Sequence, residues 1–183
     1  MFWANDVVID MYFGNYTMLG TLDKFLSQDN PNKQRSLFLH RNSDNWLRLR
    51  SRSVTERYKE QLNSIGFFDI DKIFLPVYYE SHWTLYVIFI KQRQIVYYDS
   101  LNMPYPPSIL PQCLLNYIED EANDALMSFN IIDWKIIRAN VVQQGNEFDC
   151  AFHIIKNALL VMHDLPLDLQ VRKTKCVECV ATI

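Results

Sequence analysis

Three apolar runs follow one another in the middle of the chain. "KIFLPVYY" (72–79), "WTLYVIFI" (83–90) and "QIVYYD" (94–99) are rich in β-branched and aromatic residues, which suit a pleated surface, so they predict three strands. The middle run is apolar almost throughout, as expected of a central strand buried on both faces. "KQRQ" (91–94) is polar and predicts a turn that makes 83–99 a hairpin. Elsewhere the spacing becomes helical. Residues 6–17 carry Val7, Val8, Met11, Tyr12 and Tyr16 at helical spacing, with Asp6 as N-cap. Residues 28–36 are polar and predict a surface loop, and 44–65 predict a helix ending near Gly66. Pro104, Pro106 and Pro107 mark 100–107 as a loop. Helix over 108–128, strand over 134–140 and a strongly apolar helix over 150–163 complete the chain. This order predicts a compact α+β domain, a central mixed sheet flanked by helices. Without repeats or a linker, residues 1–183 are expected to form a single domain.

Composition narrows the function. At 49% hydrophobic and 21% charged, the chain suits a globular protein with a substantial core. A net charge of −3 argues against binding duplex nucleic acid, which needs clustered positive charge. No apolar run approaches a membrane span, and no basic segment followed by an apolar one opens the chain. The four cysteines (Cys113, Cys150, Cys176 and Cys179) are therefore expected to be reduced thiols. With only four glycines in the chain, each is expected to sit where the backbone requires it.

One stretch raises a question of chemistry. In "QQGNEFDCAFHII" (143–155), Cys150 stands between a turn-prone run and an apolar helix. Alone it reads as a packing residue, since cysteine is often buried. At a helix N-terminus, however, the dipole and free backbone N–H groups favour a thiolate. A nucleophilic thiol also needs a base, an orienting group and an oxyanion donor. His82 lies just before the strand at 83–90 and Asp99 closes the next one, so both fall at the open end of the hairpin, where they can hydrogen-bond. Gln144, six positions before Cys150, has an amide that can reach back as an oxyanion donor. Separately, His82 reads as a solvated strand end, Asp99 as a strand terminator and Gln144 as a loop residue; the set and its spacing carry the argument.

Three segments in order resemble the cysteine proteases that process and deconjugate ubiquitin-like modifiers, the SUMO (sentrin) protease family. "WANDVVIDMYF" (3–13) resembles the family's Trp-Leu-Asn-Asp opening and first helix. "IFLPVYYESHWTLYVI" (73–88) and "IVYYDSL" (95–101) resemble its His-Trp and Tyr-Asp-Ser strands, with Asp99 17 residues after His82. "QGNEFDC" (144–150) resembles its Gln-Pro-Asn-Gly-x-Asp-Cys segment. The resemblance implies the papain-like core of that family and a role for each matched residue. Cys150 would be the nucleophile, His82 the general base and acid, Asp99 the group that orients His82, and Gln144 the oxyanion donor. Trp3 and Trp83 would enclose the modifier's Gly-Gly tail, and Asp6 would hold its backbone. The implied partner is a ubiquitin-like modifier and its conjugates, the implied setting is cytoplasmic or nuclear (or a host cell, for a pathogen's protein), and a monomer without cofactor is expected.

The departures are modest. Ala151 replaces the family's Gly; a small residue is kept, so tolerance is expected, although a methyl beside the nucleophile can narrow the site. Gly145 for Pro and Glu147 for Gly are expected to loosen the oxyanion loop, and Ala4 for Leu is a small packing loss. No reacting group is lost. Cys176 and Cys179 form C-x-x-C without a second ligand pair, so no metal is expected. Arg48, Arg50, Arg52, Arg57 and Lys59 read as a solvated face, or one that meets an acidic patch. His40, His153 and His163 read as structural. Two other functions use parts of the same pattern: acetyl transfer through a cysteine thioester, and modifier binding without cleavage. Trp3 and Trp83 weigh against the first, the intact reacting set against the second.

Overall fold

The computed structural model describes residues 36–38, 66–79, 81–101, 103 and 109–169. The expected helices at 6–17 and 44–65, Trp3, Ala4, Asp6, His40, the basic stretch, Cys176 and Cys179 lie outside them.

The described residues form a five-stranded mixed sheet. Its strands are β1 (Ser36–Phe38), β2 (Lys72–Tyr79), β3 (His82–Phe89), β4 (Gln94–Tyr98) and β5 (Lys135–Arg138), in that spatial order. β2, β3 and β4 are antiparallel, while β1 and β5 join the edges in parallel. Two helices accompany them: α1 (Ile109–Asp124) and α2 (Cys150–Met162). The predicted α+β architecture is therefore present. β3 is central and buried on both sides, as its unbroken apolar run requires.

Each face of the sheet packs against a helix. On one, Ile73, Leu75, Tyr86, Ile88, Ile95 and Tyr97 meet Leu110, Leu114 and Ile118 of α1. On the other, Phe74, Leu85, Val87, Val96 and Tyr98 meet Ala151, Ile154, Ile155 and Ala158 of α2. Pro111 sits in the first turn of α1, where its missing N–H costs no helical bond.

Several details differ from expectation. Ser36 belongs to a short strand rather than to the 28–36 loop. α1 stops at Asp124, four residues early, because Leu126 turns left-handed (φ 53°) and the Leu126 and Met127 amides bond the carbonyls of Asn123 and Ala122. Neither described glycine needs a left-handed backbone: Gly66 has φ −62°, although a Cβ there would press on Asp69 Oδ2 at 3.0 Å, and a Cβ on Gly145 would meet no atom within 4 Å. The left-handed positions belong instead to Ser81, Arg93, Leu126 and Asp164.

The two hairpin turns set the site. Tyr79 pairs with His82, so only two residues turn β2 into β3, with Ser81 at φ 61°. His82 is thus the first residue of β3 itself, one position inside the expected strand boundary. Residues 90–93 turn β3 into β4.

Candidate active site

Register alone brings His82 and Asp99 together. Tyr86 and Tyr97 are paired on adjacent strands, with ring centroids 4.8 Å apart on the α1 face. Two side-chain periods back from Tyr86 is His82, and one period on from Tyr97 is Asp99. Both therefore project to the same side, as diagonal neighbours across the pair. His82 Nε2 lies 2.8 Å from Asp99 Oδ1, and both residues are buried.

The Asp99 carboxylate is held from several directions. Oδ1 also accepts from the Leu101 amide at 2.9 Å, and Oδ2 accepts from the Met103 amide at 2.9 Å. Arg138 Nη2 donates to Oδ2 at 3.1 Å. Burial favours the neutral acid, but the His82 bond and charge and the two amides outweigh it and hold the carboxyl below the usual carboxylate range.

Cys150 arrives from the opposite face. It is the first residue of α2, which packs under Trp83 and Leu85, and only 3% of it is exposed. Burial opposes the thiolate. It is outweighed by the His82 imidazole and by the Trp83 and Ala151 backbone N–H groups, so the thiol pKa is lowered from its ordinary value. For His82, burial likewise disfavours the cation. The bond to Asp99, the interaction with Cys150 and the charges of both partners prevail, raising its pKa to about 9. With Nε2 engaged by Asp99, Nδ1 is the nitrogen left for Cys150; it is buried and meets no hydrogen-bond partner. Both shifts favour a thiolate beside an imidazolium over the neutral pair.

Gln144 lies in the loop before α2. Its backbone N–H donates to the Ser100 carbonyl at 2.8 Å, and its side-chain oxygen accepts from the Ser100 hydroxyl at 2.6 Å. Its Nε2 donates to the Asn146 carbonyl at 2.6 Å. Gln144 is therefore latched to the residue after Asp99, with its amide group turned within the loop. Asn146 organises the same turn: its Oδ1 accepts from the Phe148 and Asp149 amides and its Nδ2 donates to Asp149 Oδ2. These bonds tie the loop to itself and to Ser100. The Ala151 methyl is 1% exposed and packed in the α2 core.

Trp83 is 7% exposed and belongs to that core, its ring 5.0 Å from that of the half-exposed Tyr78. It serves packing and also borders Cys150. His153 is buried, as expected of a packed histidine, while His163 is exposed. Cys113 and Cys150 are free thiols. Sequence reasoning missed Arg138 and the latching role of Ser100. Ser100 was within reach, standing beside Asp99 in "YYDSL". Arg138 was not, because its approach depends on the parallel register of β5.

The chain as a whole is similar to known proteins. Over 170 residues the chain is 28% identical to ubiquitin-like-specific protease 1 of Saccharomyces cerevisiae, covering 91% of this chain and 24% of that one. The chain thus spans about a quarter of the length of this curated relative. A structure of the SUMO protease Ulp1, its catalytic cysteine oxidized to a sulfenic acid, superposes with a TM-score of 0.69 at 26% identity, covering 98% of this chain and 75% of that chain. The C-terminal Ulp1 protease domain in complex with Smt3, the yeast ortholog of SUMO, gives 0.65 at 25% identity, covering 91% and 69%. The family model for the Ulp1 protease family, C-terminal catalytic domain, matches residues 6–178, and the chain belongs to that family.

Proposed function

We propose that residues 1–183 form one catalytic domain, a thiol protease and isopeptidase that cleaves after the C-terminal Gly-Gly of a ubiquitin-like modifier. The observation that carries this reading is the buried contact of His82 with Asp99 at 2.8 Å, with Cys150 on the other side of the imidazole at a helix N-terminus. The names of the relatives favour a SUMO-type modifier over ubiquitin. A reacting thiol needs a reducing compartment, so the setting is inside a cell, cytoplasmic or nuclear. The enzyme acts as a monomer on the modifier and its conjugates.

The Cys150 thiolate attacks the carbonyl carbon of the modifier's last glycine. The oxyanion is held by backbone N–H groups at the start of α2 and by the Gln144 amide, which leaves Asn146 to meet it. His82 protonates the departing lysine amine, leaving a thioester on Cys150. His82 then takes a proton from water, which attacks the thioester and releases the modifier acid and the thiolate. Asp99 keeps the imidazole oriented and stabilises its cation throughout. Trp83 and Trp3 enclose the diglycine, and Asp6 holds its backbone. Flat indole walls admit glycine and exclude larger residues, so specificity for the tail is steric.

A SUMO-type modifier joined to a lysine peptide tests the reading. Cleavage should release the free peptide, stop in Cys150→Ala, fall on the order of 10²-fold in Gln144→Ala, and stop when the penultimate glycine of the modifier becomes valine. Unchanged cleavage by Cys150→Ala would remove the assignment.

A further inference from the structure

Arg138 has no place in the motif that identifies the site, yet it reaches the same carboxylate. It is the last residue of β5, an edge strand among the described residues, and it pairs in parallel register with Tyr97. That register puts its side chain on the Tyr97 side of the sheet, with the guanidinium 5.9 Å from the Tyr97 ring and 3.1 Å from Asp99 Oδ2. The side chain is 29% exposed, whereas the Asp99 side chain is fully buried.

Two roles are open to such a cation: holding the carboxylate in place, or offsetting its charge. The geometry separates them. Both Asp99 oxygens are already fixed by backbone amides, Oδ1 by Leu101 and Oδ2 by Met103, each at 2.9 Å. The Asp99 carbonyl is held as well, accepting from Gln143 Nε2 at 3.2 Å. Arg138 therefore adds little constraint but a full positive charge. We propose that Arg138 is a positioning residue acting through Asp99, whose negative charge it partly neutralises so that His82 gives up its proton more readily to the leaving group.

The inference rests on the reading of Cys150, His82 and Asp99 as the reacting set. The ionisable groups acting on His82 and Asp99 among the described residues are Cys150 from α2, Tyr86 from β3, Tyr97 from β4 and Arg138 from β5. Both tyrosines are pushed well above the ordinary phenol range, chiefly by burial, and remain neutral across the working range. Arg138 is thus the one cation in this group besides the imidazolium itself.

The test is the pH dependence of Cys150 alkylation by iodoacetamide, read by mass spectrometry of the peptide containing Cys150, so no modifier is needed. In the natural chain the rate should show two inflections, a lower one for the thiol and an upper one for the imidazolium. In R138M the upper inflection should rise by roughly half a pH unit or more, because a cation near the imidazolium has been removed. R138K should keep the upper inflection of the natural chain, and R138Q replaces R138M if the latter fails to fold. An unmoved upper inflection in the neutral variant would overturn the proposal. A fall would also overturn it, by showing that Arg138 holds the carboxylate instead. If the natural chain shows only the single inflection of an ordinary thiol, the reading of the active site falls, and the inference with it.

Discussion

Burial by itself would leave His82 a poor base and Cys150 a poor nucleophile, since both ionic forms lose hydration. Their mutual contact reverses this. The thiol is lowered, the imidazole is raised to about 9, and Asp99 stands behind the imidazole. The sign of the pH dependence follows. Cleavage should rise with pH as Cys150 ionises below the ordinary thiol value, hold a plateau, and fall as the imidazolium is lost near pH 9. A pH series of kcat/KM checks this. His82→Ala should return the thiol towards a buried cysteine's high pKa and slow its alkylation at pH 7 by about tenfold or more. Asp99→Asn would put a neutral amide behind the ring, and kcat should fall by a factor on the order of 10² to 10⁴. At this scale the sequence carried most of the site: His82 and Asp99 converge as their spacing implied, because a hairpin register is a local property, while Cys150 joins them through the packing of α2 on the sheet. Arg138 was not legible, because nothing in "WKIIRAN" says which strand β5 joins or in what register. The fate of Trp3 and Asp6 lies outside the described residues.

Among the elements, α2 matters most because it delivers the thiol. Its C-terminus is pinned at the far end from the site. The Lys72 ammonium, buried at the start of β2, donates to the Val161 carbonyl at 2.7 Å and to Asp164 at 2.6 Å, complementing the negative end of the helix. Lys72→Met should remove the ammonium that bonds both this carbonyl and Asp164, leaving the carbonyl only its backbone donors, and destabilise the fold by about 1–3 kcal/mol, measurable by urea denaturation. α1 ends in a left-handed Leu126 that is 95% exposed, at a position that favours glycine. Leu126→Gly should therefore stabilise the protein, by about 0.5–1 kcal/mol in the same assay. These helix ends explain why boundaries were less legible than the elements themselves. The apolar period of α1 continues past Asp124, and only the two capping bonds stop it. β1 is a three-residue parallel edge strand, too short to leave a periodic signal.

For the molecule as a whole, α1 and α2 grip opposite faces of one sheet, and the site forms at the sheet end where His82, Asp99 and the start of α2 meet. The charge of the site is carried by a rigid frame of backbone amides and strand ends, so Cys150→Ala should leave the fold intact while removing reactivity. Thermal unfolding of that variant should match the natural chain closely. The most direct measurement of the central claim is reaction of the chain with a panel of SUMO-type modifiers and ubiquitin, each carrying a propargyl group in place of its C-terminal carboxylate. The expected result is a covalent adduct with a SUMO-type modifier, formed at Cys150 and absent in Cys150→Ala. No adduct with any modifier, or an adduct that survives in Cys150→Ala, would contradict the assignment of this site as a modifier-cleaving cysteine centre.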